Sequence, residues 1–249
     1  MGTEIIRKWE PDDFELETNT IWSFPERGTW ATHDGGWRGN WSPYIPRNLI
    51  LRYTQEGDWV LDQFVGGGTT IVEAKLLNRN SIGIDVNDSA IERCKQKISF
   101  QHPGAEGKVY LQKGDARKID FVKSGSIDLI CMHPPYADII QYSENIEADL
   151  SLLSENDFLC EMRAVAAESF RVLKDGKHCA VLMGDIRENG FIRPLSFEVM
   201  KIFEDAGFRL KEMIIKEQHN CHSTKYWNSR GKINNFLLIA HEHLFVFKK

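Results

Sequence analysis

From residue 58 onward the chain alternates two patterns of apolar and polar positions. Short apolar runs of strand length give way to stretches with apolar residues at helical spacing. The runs 58–65 (DWVLDQFV), 81–86, 108–115, 126–132 and 178–185 read as strands. Segments 69–78, 89–98, 155–173 and 195–206 read as helices, the last ended by Gly207. Apolar strands separated by amphipathic helices imply an α/β fold, with a mostly parallel sheet covered on both faces. The tail departs from this alternation. Segments 207–218 and 234–249 read as two long strands, free to pair as an antiparallel terminal hairpin across the loop 219–234.

Upstream, residues 1–20 are polar and acid-rich and read as a loosely held arm preceding one domain over 21–249. Residues 21–53 concentrate Trp22, Trp30, Trp37 and Trp41 among Arg27, Arg38, Arg47 and Arg52. Their last part, 40–53, looks like a loop leading into a short helix.

Length and composition narrow the class. The 249 residues suit one large α/β domain, and 42% hydrophobic with 27% charged residues is a soluble globular balance. No apolar run is long enough to cross a membrane, and the charged N-terminus does not resemble a secretory signal. Five scattered cysteines point to free thiols in a reducing cytoplasm. The formal charge of −5 argues against a strongly basic nucleic-acid binder but leaves room for a local basic cleft.

Two segments carry chemistry. The first, Asp62 to Thr70 (DQFVGGGTT), lies between a predicted strand and helix. Glycines there let the backbone approach a ligand, and the helix start offers free N–H groups. Asp85 and Asp115 end the next two strands. A carboxylate at Asp85 suits ribose hydroxyls, and one at Asp115 suits an adenine amine. The strand ends of an open α/β sheet form the ligand crevice, so the three together favour a nucleoside pocket over a simple tight turn. No Lys-Ser/Thr follows the glycines, which disfavours a nucleotide P-loop.

The second is His133-Pro134-Pro135-Tyr136, directly after the strand 126–132. Two prolines fix φ and remove two donors, so carbonyls are held outward beside an acceptor side chain and an aromatic ring. Such a corner suits a planar group bearing an NH2. The exocyclic amine of adenine or cytosine is a poor nucleophile because its lone pair is delocalised. Two acceptors on its hydrogens would pull the nitrogen toward tetrahedral geometry, after the base has left the duplex stack. The bland alternative is a Pro-Pro turn that ends a strand.

With both segments in hand, the chain resembles the amino-methyltransferases that use S-adenosylmethionine to modify N6 of adenine or N4 of cytosine in DNA. VLDQFVGGGTT is similar to their cofactor motif, and HPPY to their [DNS]-P-P-[YFW] motif. The resemblance spans roughly residues 21–247. It implies a class I Rossmann-like methyltransferase fold of seven strands with an antiparallel last strand. It implies that Asp62, Phe64, Gly66, Gly68 and Thr69 surround the methionine part of the cofactor, with Asp85 at the ribose and Asp115 at the adenine. Pro43 and Tyr44 would wall the methionine end, and His133, Pro134, Pro135 and Tyr136 would hold the target base.

Two departures stand out. His133 replaces the family's Asp, Asn or Ser; a neutral imidazole can accept a hydrogen bond and an imidazolium cannot. Activity is therefore expected to fall as pH drops through about 6.5. No block remains for a separate recognition domain, so target recognition falls to 21–42, 137–154, 219–234 or a second subunit.

Further expectations are weaker. Candidate nucleic-acid contacts are Arg38, among the tryptophans of 30–41, and Lys225, Trp227 and Arg230, within a Lys/Arg-rich stretch at 201–232 that could instead be a solvated surface. The tryptophans of 30–41 could pack or contact nucleic acid. His219, Cys221 and His222 are spaced too tightly for a usual zinc site, and no metal is expected. The acidic stretch 142–155 reads as a lid or a charged loop. Two rival functions remain: methylation of RNA or of a protein glutamine, and a catalytically inactive nucleic-acid-binding subunit. The partners expected are DNA and either a second copy or a separate specificity subunit.

Overall fold

The computed structural model describes residues 6, 8–137, 141–220 and 224–249, with the backbone course alone for 224–228. In chain order the elements are β1 (Ile21–Trp22), α1 (Tyr44–Tyr53), β2 (Trp59–Asp62), α2 (Thr69–Leu76), β3 (Asn80–Asp85), α3 (Asp88–Lys97), β4 (Val109–Lys113) and β5 (Ile127–Met132). They continue with α4 (Glu155–Val172), β6 (Leu173–Met183), β7 (Ile186–Glu188), β8 (Phe191–Arg193), α5 (Leu195–Asp205), β9 (Arg209–Glu217), α6 (Thr224–Asn234) and β10 (His241–Lys248).

One sheet runs β1-β9-β10-β6-β5-β2-β3-β4. The chain winds outward from β2 through β3 to β4, then returns to place β5 on the other side of β2, with parallel pairing throughout. This reversal between β2 and β5 opens a crevice at the carboxyl ends of the strands. β10 pairs antiparallel with both β6 and β9, as the terminal hairpin requires. The expected seven strands are present, and the two-residue β1 adds an eighth beside β9.

Alternation along the strands sends side chains to two cores. Val60, Leu129, Cys131, Ala180 and Leu182 face α1 residues Ile45, Leu49 and Ile50. Leu61, Ile130, Met132, Val181 and Met183 face Phe158, Met162 and Val165 of α4 and Val199 and Phe203 of α5. β5 is buried along its full length, as a central strand covered on both faces must be. The α4 helix begins at an Ser154 cap on the Asp157 N–H.

Three details differ from expectation. The segment 219–234 is not a plain loop, because α6 occupies its second half. The last strand begins at His241, so 234–240 is not part of it. A small antiparallel hairpin, β7–β8, projects after β6. The apolar positions of α6 are too few for a helical stripe, and the hairpin strands are short; neither left a periodic signal.

Candidate active site

The carboxyl ends of β5, β2, β3 and β4 put His133, Asp62, Asp85 and Asp115 along one edge of the sheet. All four line a single cleft, together with Phe64, Gly66, Pro135, Asn40 and Asp149.

Each carboxylate already has backbone or side-chain partners. Asp62 is 3% exposed and accepts from the Phe64 N–H at 3.0 Å and the Thr70 hydroxyl at 2.5 Å. Burial pushes its carboxyl up to about 7, against the pull of those bonds. Asp85 accepts from the N–H groups of Gly66 and Asn87, both at 2.9 Å, and burial again raises it. Asp85 therefore clamps the glycine loop to β3. Asp115 is gripped by Arg117, whose Nε and Nη2 reach both of its oxygens while Nη1 reaches Glu161 at 2.7 Å. An adenine amine would have to share this carboxylate with a guanidinium.

The glycines do more than admit a ligand. Gly68 has φ +83°, and a Cβ there would lie 2.7 Å from Cys94 Sγ. Its bare Cα lets α3 pack against the start of α2. Gly68 and Thr69 lie outside the cleft lining, although Gly66 belongs to it. A Cβ on Gly66 would meet the Trp37 ring, so residues 37–41 lie directly over the loop.

This corrects the placement of the methionine-end wall. Pro43 is buried as the N-cap residue of α1. Tyr44 stacks on Phe24 at 5.2 Å and meets Trp30 edge-on at 4.8 Å. Neither lines the cleft; Trp37, Arg38, Gly39, Asn40 and Trp41 do so instead. Arg38, expected at nucleic acid, therefore borders the same cleft as Asp62. A buried cluster anchors this segment. Glu73, fully buried on α2, accepts from Trp30 Nε1 at 2.6 Å and from Arg47 at 3.1 Å, and contacts His33 Nε2 at 2.7 Å. Trp22 and Trp30 are packing residues, while buried Trp41 and half-buried Trp37 both line the cleft.

The His133 corner divides two spaces. Trp41 stacks on the imidazole with centroids 5.8 Å apart, and His133 and Pro135 face the cleft. Tyr136 is not part of that lining. It packs on Gly184 and borders an outer groove with Asp185, Arg187, Asn156 and His241. The chain leaves the corner through Ala137 at φ +49°, a left-handed residue that turns it sharply. Burial is the main force holding His133 below its ordinary value, with Lys216 and Arg27 adding to it and Glu242 opposing. The ring is neutral at pH 7, and the expected acid limb moves below 6.5.

The stretch 142–155 also belongs here: Tyr142, Ala148, Asp149 and Leu150 close one side of the cleft. The Tyr142 hydroxyl sits where a Cβ on Gly39 would fall, so bare backbone and phenol meet across the opening. Arg230, expected at nucleic acid, is exposed on α6, and the side chains of Lys225 and Trp227 lie outside the described residues. Lys216 is no phosphate contact; it is a half-buried partner of Glu242. Cys221 and His222 also lie outside the described residues, and His219 bonds Ser23 at 2.9 Å. Among the described residues no cluster could hold a metal ion, and no helix is long and apolar enough to cross a membrane.

The fold and parts of the sequence are similar to known proteins. The fold is similar to a SAM-dependent methyltransferase from Methanosarcina mazei, with a TM-score of 0.56 at 17% identity over 81% of this chain and 96% of that one. In sequence, 56 residues are 46% identical to the Type II methyltransferase M.HpaI of Haemophilus parainfluenzae, covering 22% of this chain and 18% of the relative. A 59-residue stretch is 41% identical to the Type II methyltransferase M2.DpnII of Streptococcus pneumoniae, covering 24% and 22%. These alignments span about a fifth of each relative's length. The N6/N4 methyltransferase family model, described as DNA methylase, matches residues 5–96 and 127–249, leaving out β4 and Asp115. With both motifs inside those ranges and their ends meeting in one cleft, the chain belongs to the N6/N4 DNA methylase family.

Proposed function

We propose that this chain transfers a methyl group from S-adenosylmethionine to the exocyclic amino group of adenine (N6) or cytosine (N4) in DNA. The observation that carries the reading is that His133 and Pro135 line the same cleft as Asp62, Asp85 and Asp115. The donor set fits the cofactor. Three carboxylates suit its cationic groups, ribose hydroxyls and adenine amine, and Asn40 Nδ2 is a buried donor without a partner, suited to its carboxylate. When bound, the cofactor supplies an electrophilic methyl carbon.

The chain does the rest by holding and orienting. Asp62, Phe64, Gly66 and Asn40 take the methionine end. Asp85 takes the ribose, and Asp115, whose carboxylate is shared with Arg117, takes the adenine amine. Gly68 and Thr69 support these residues from behind by shaping the start of α2. At the corner, His133 and the carbonyl held by Pro134 accept the two hydrogens of the target amine. This draws its lone pair out of the ring plane and aims it at the cleft. Tyr136 offers a ring on the outer-groove side, where a base swung from the duplex would enter.

The same reading places the protein in the cytoplasm as one methyltransferase domain over 21–249 behind an N-terminal arm. A second copy or a specificity partner would supplement the residues at 21–42 and 219–234 in reading the target. The test is nucleoside mass spectrometry after incubation with methyl-labelled cofactor and DNA, RNA or protein. N6-methyladenine or N4-methylcytosine from DNA is expected. Label confined to RNA or to glutamine overturns the DNA assignment, and cofactor binding without transfer to any substrate identifies an inactive subunit.

A further inference from the structure

Three polar side chains, buried Glu242 and half-buried Tyr136 and Lys216, link the corner to β10 and β9. Lys216 on β9 and Glu242 on β10 are register partners, and Lys216 Nζ donates to Glu242 Oε2 at 2.9 Å. The Tyr136 hydroxyl donates to Glu242 Oε1 at 2.8 Å. The same hydroxyl oxygen lies 2.7 Å from His133 Nε2. Glu242 is 7% exposed. A carboxylate this deep is costly unless paired and bonded, and the amino-group reading above does not itself call for one.

A phenol has one proton to give. If it went to His133, the Tyr136 and Glu242 oxygens would face each other at 2.8 Å with no proton between them, in a buried site. With Glu242 as the acceptor, the Tyr136–Glu242 and His133–Tyr136 contacts are both satisfied, provided that the imidazole carries its proton on Nε2 and donates it to Tyr136; the Gly39 backbone is a further hydrogen-bond neighbour of the ring. Burial works to raise the Glu242 carboxyl, but Lys216, His133 and Tyr136 outweigh it and hold the group below its ordinary value. Burial first, and then Glu242, push the Tyr136 phenol well above its ordinary value. The acceptor therefore stays anionic and the phenol keeps its proton.

We propose that Glu242, acting through the Tyr136 hydroxyl, fixes His133 in the Nε2–H tautomer and so leaves Nδ1 as the acceptor for one hydrogen of the target amine. The proposal rests on the amino-methylation reading. Its chemical sense lies in the side-chain frames. Nδ1 of histidine and Oδ1 of asparagine or aspartate are both two bonds from Cβ. The other tautomer would present an N–H to an amine that needs an acceptor. Glu242 is a positioning residue: it touches neither cofactor nor base, and it acts through Tyr136.

Nitrogen-15 histidine spectra of the full chain at pH 7.5 read the tautomer directly, with His133 assigned by its loss in His133→Asn. The expected pattern is a protonated Nε2 and a bare Nδ1. A proton on Nδ1, or a doubly protonated ring, overturns the proposal. The kinetic arm is a double-mutant cycle. Glu242→Gln is expected to lower turnover at least tenfold with cofactor KM within twofold. In the His133→Asn background, where no tautomer must be chosen, the same change is expected to cost less than twofold. Equal penalties in both backgrounds mark a merely structural residue and overturn the proposal, as does an inert His133→Asn. If Glu242→Gln does not fold, Tyr136→Phe runs the same cycle, because it removes the hydroxyl and keeps the ring. If the wild-type chain methylates no amine, the acceptor role falls with the functional reading. The spectrum still decides separately whether Glu242 sets the tautomer.

Discussion

Asp62 and His133 sit at the ends of adjacent strands, in one cleft, and burial acts on both. It pushes the carboxyl up to about 7 and the imidazole below 6.5, so both move toward neutrality. The consequences are opposite. Neutral is the useful form of the imidazole, because an imidazolium has no lone pair to offer an amine. On the proposed function, Asp62, at about 7, is only partly charged near neutral pH, and a bound cationic group would favour its charged form. On that reading, one cause would ready the target side of the cleft in advance and make the cofactor side respond to its ligand.

The largest test of this contrast is His133→Ala. Removing a preplaced acceptor for the target amine is expected to lower turnover about 10²–10³-fold. Cofactor affinity, read by calorimetry with S-adenosylhomocysteine, should stay within about threefold. Equal losses in the two readouts would break the division of the cleft. The second test is pH. Because the folded-state value of Asp62 lies above its ordinary 3.8, the carboxyl becomes mostly protonated as pH falls below 7. Affinity for the cationic cofactor should then weaken, approaching tenfold per pH unit. Asp62→Asn should flatten that slope.

The shift of His133 has the other sign, so turnover at saturating cofactor should hold from pH 7 to 6.5 and decline below that. The groups that tune this limb are Glu242 on β10, Lys216 on β9, Arg27 and the Gly39 backbone. His133→Asn should remove the turnover limb and leave the affinity limb in place. A shared limb in both readouts would mean that one group governs both sides. The smallest effect concerns the wall. Trp37→Ala should weaken cofactor binding several-fold, whereas Tyr44→Leu should leave it within twofold and lower thermal stability instead, since Tyr44 packs on Phe24 and Trp30.

The cofactor side was the more legible half. Asp62, the glycines and Asp85 are close in sequence, and strand, turn and helix follow one another there with strong periodic signals. The order of that segment alone brings its carboxylates to one edge. The wall formed by Trp37 to Trp41 was not legible, because its position depends on Glu73, an acid on an ordinary helix face until it is buried under Trp30, His33 and Arg47. The Lys/Arg-rich reading of 201–232 failed at Lys216 for a similar reason: its partner lies on the next strand of the sheet, 26 positions away in sequence.

By itself the sequence determined the alternating fold, the crevice and the residue types that meet in it, because these follow from local periodicity and from short motifs at strand ends. Tertiary structure alone decided which way the protons point. Glu242 is separated from Tyr136 by 106 positions, and the pair meets only because β10 threads between β6 and β9. Hydrogen-bond direction and protonation state depend on neighbours in space and on the exclusion of water, and neither is written in the order of residues.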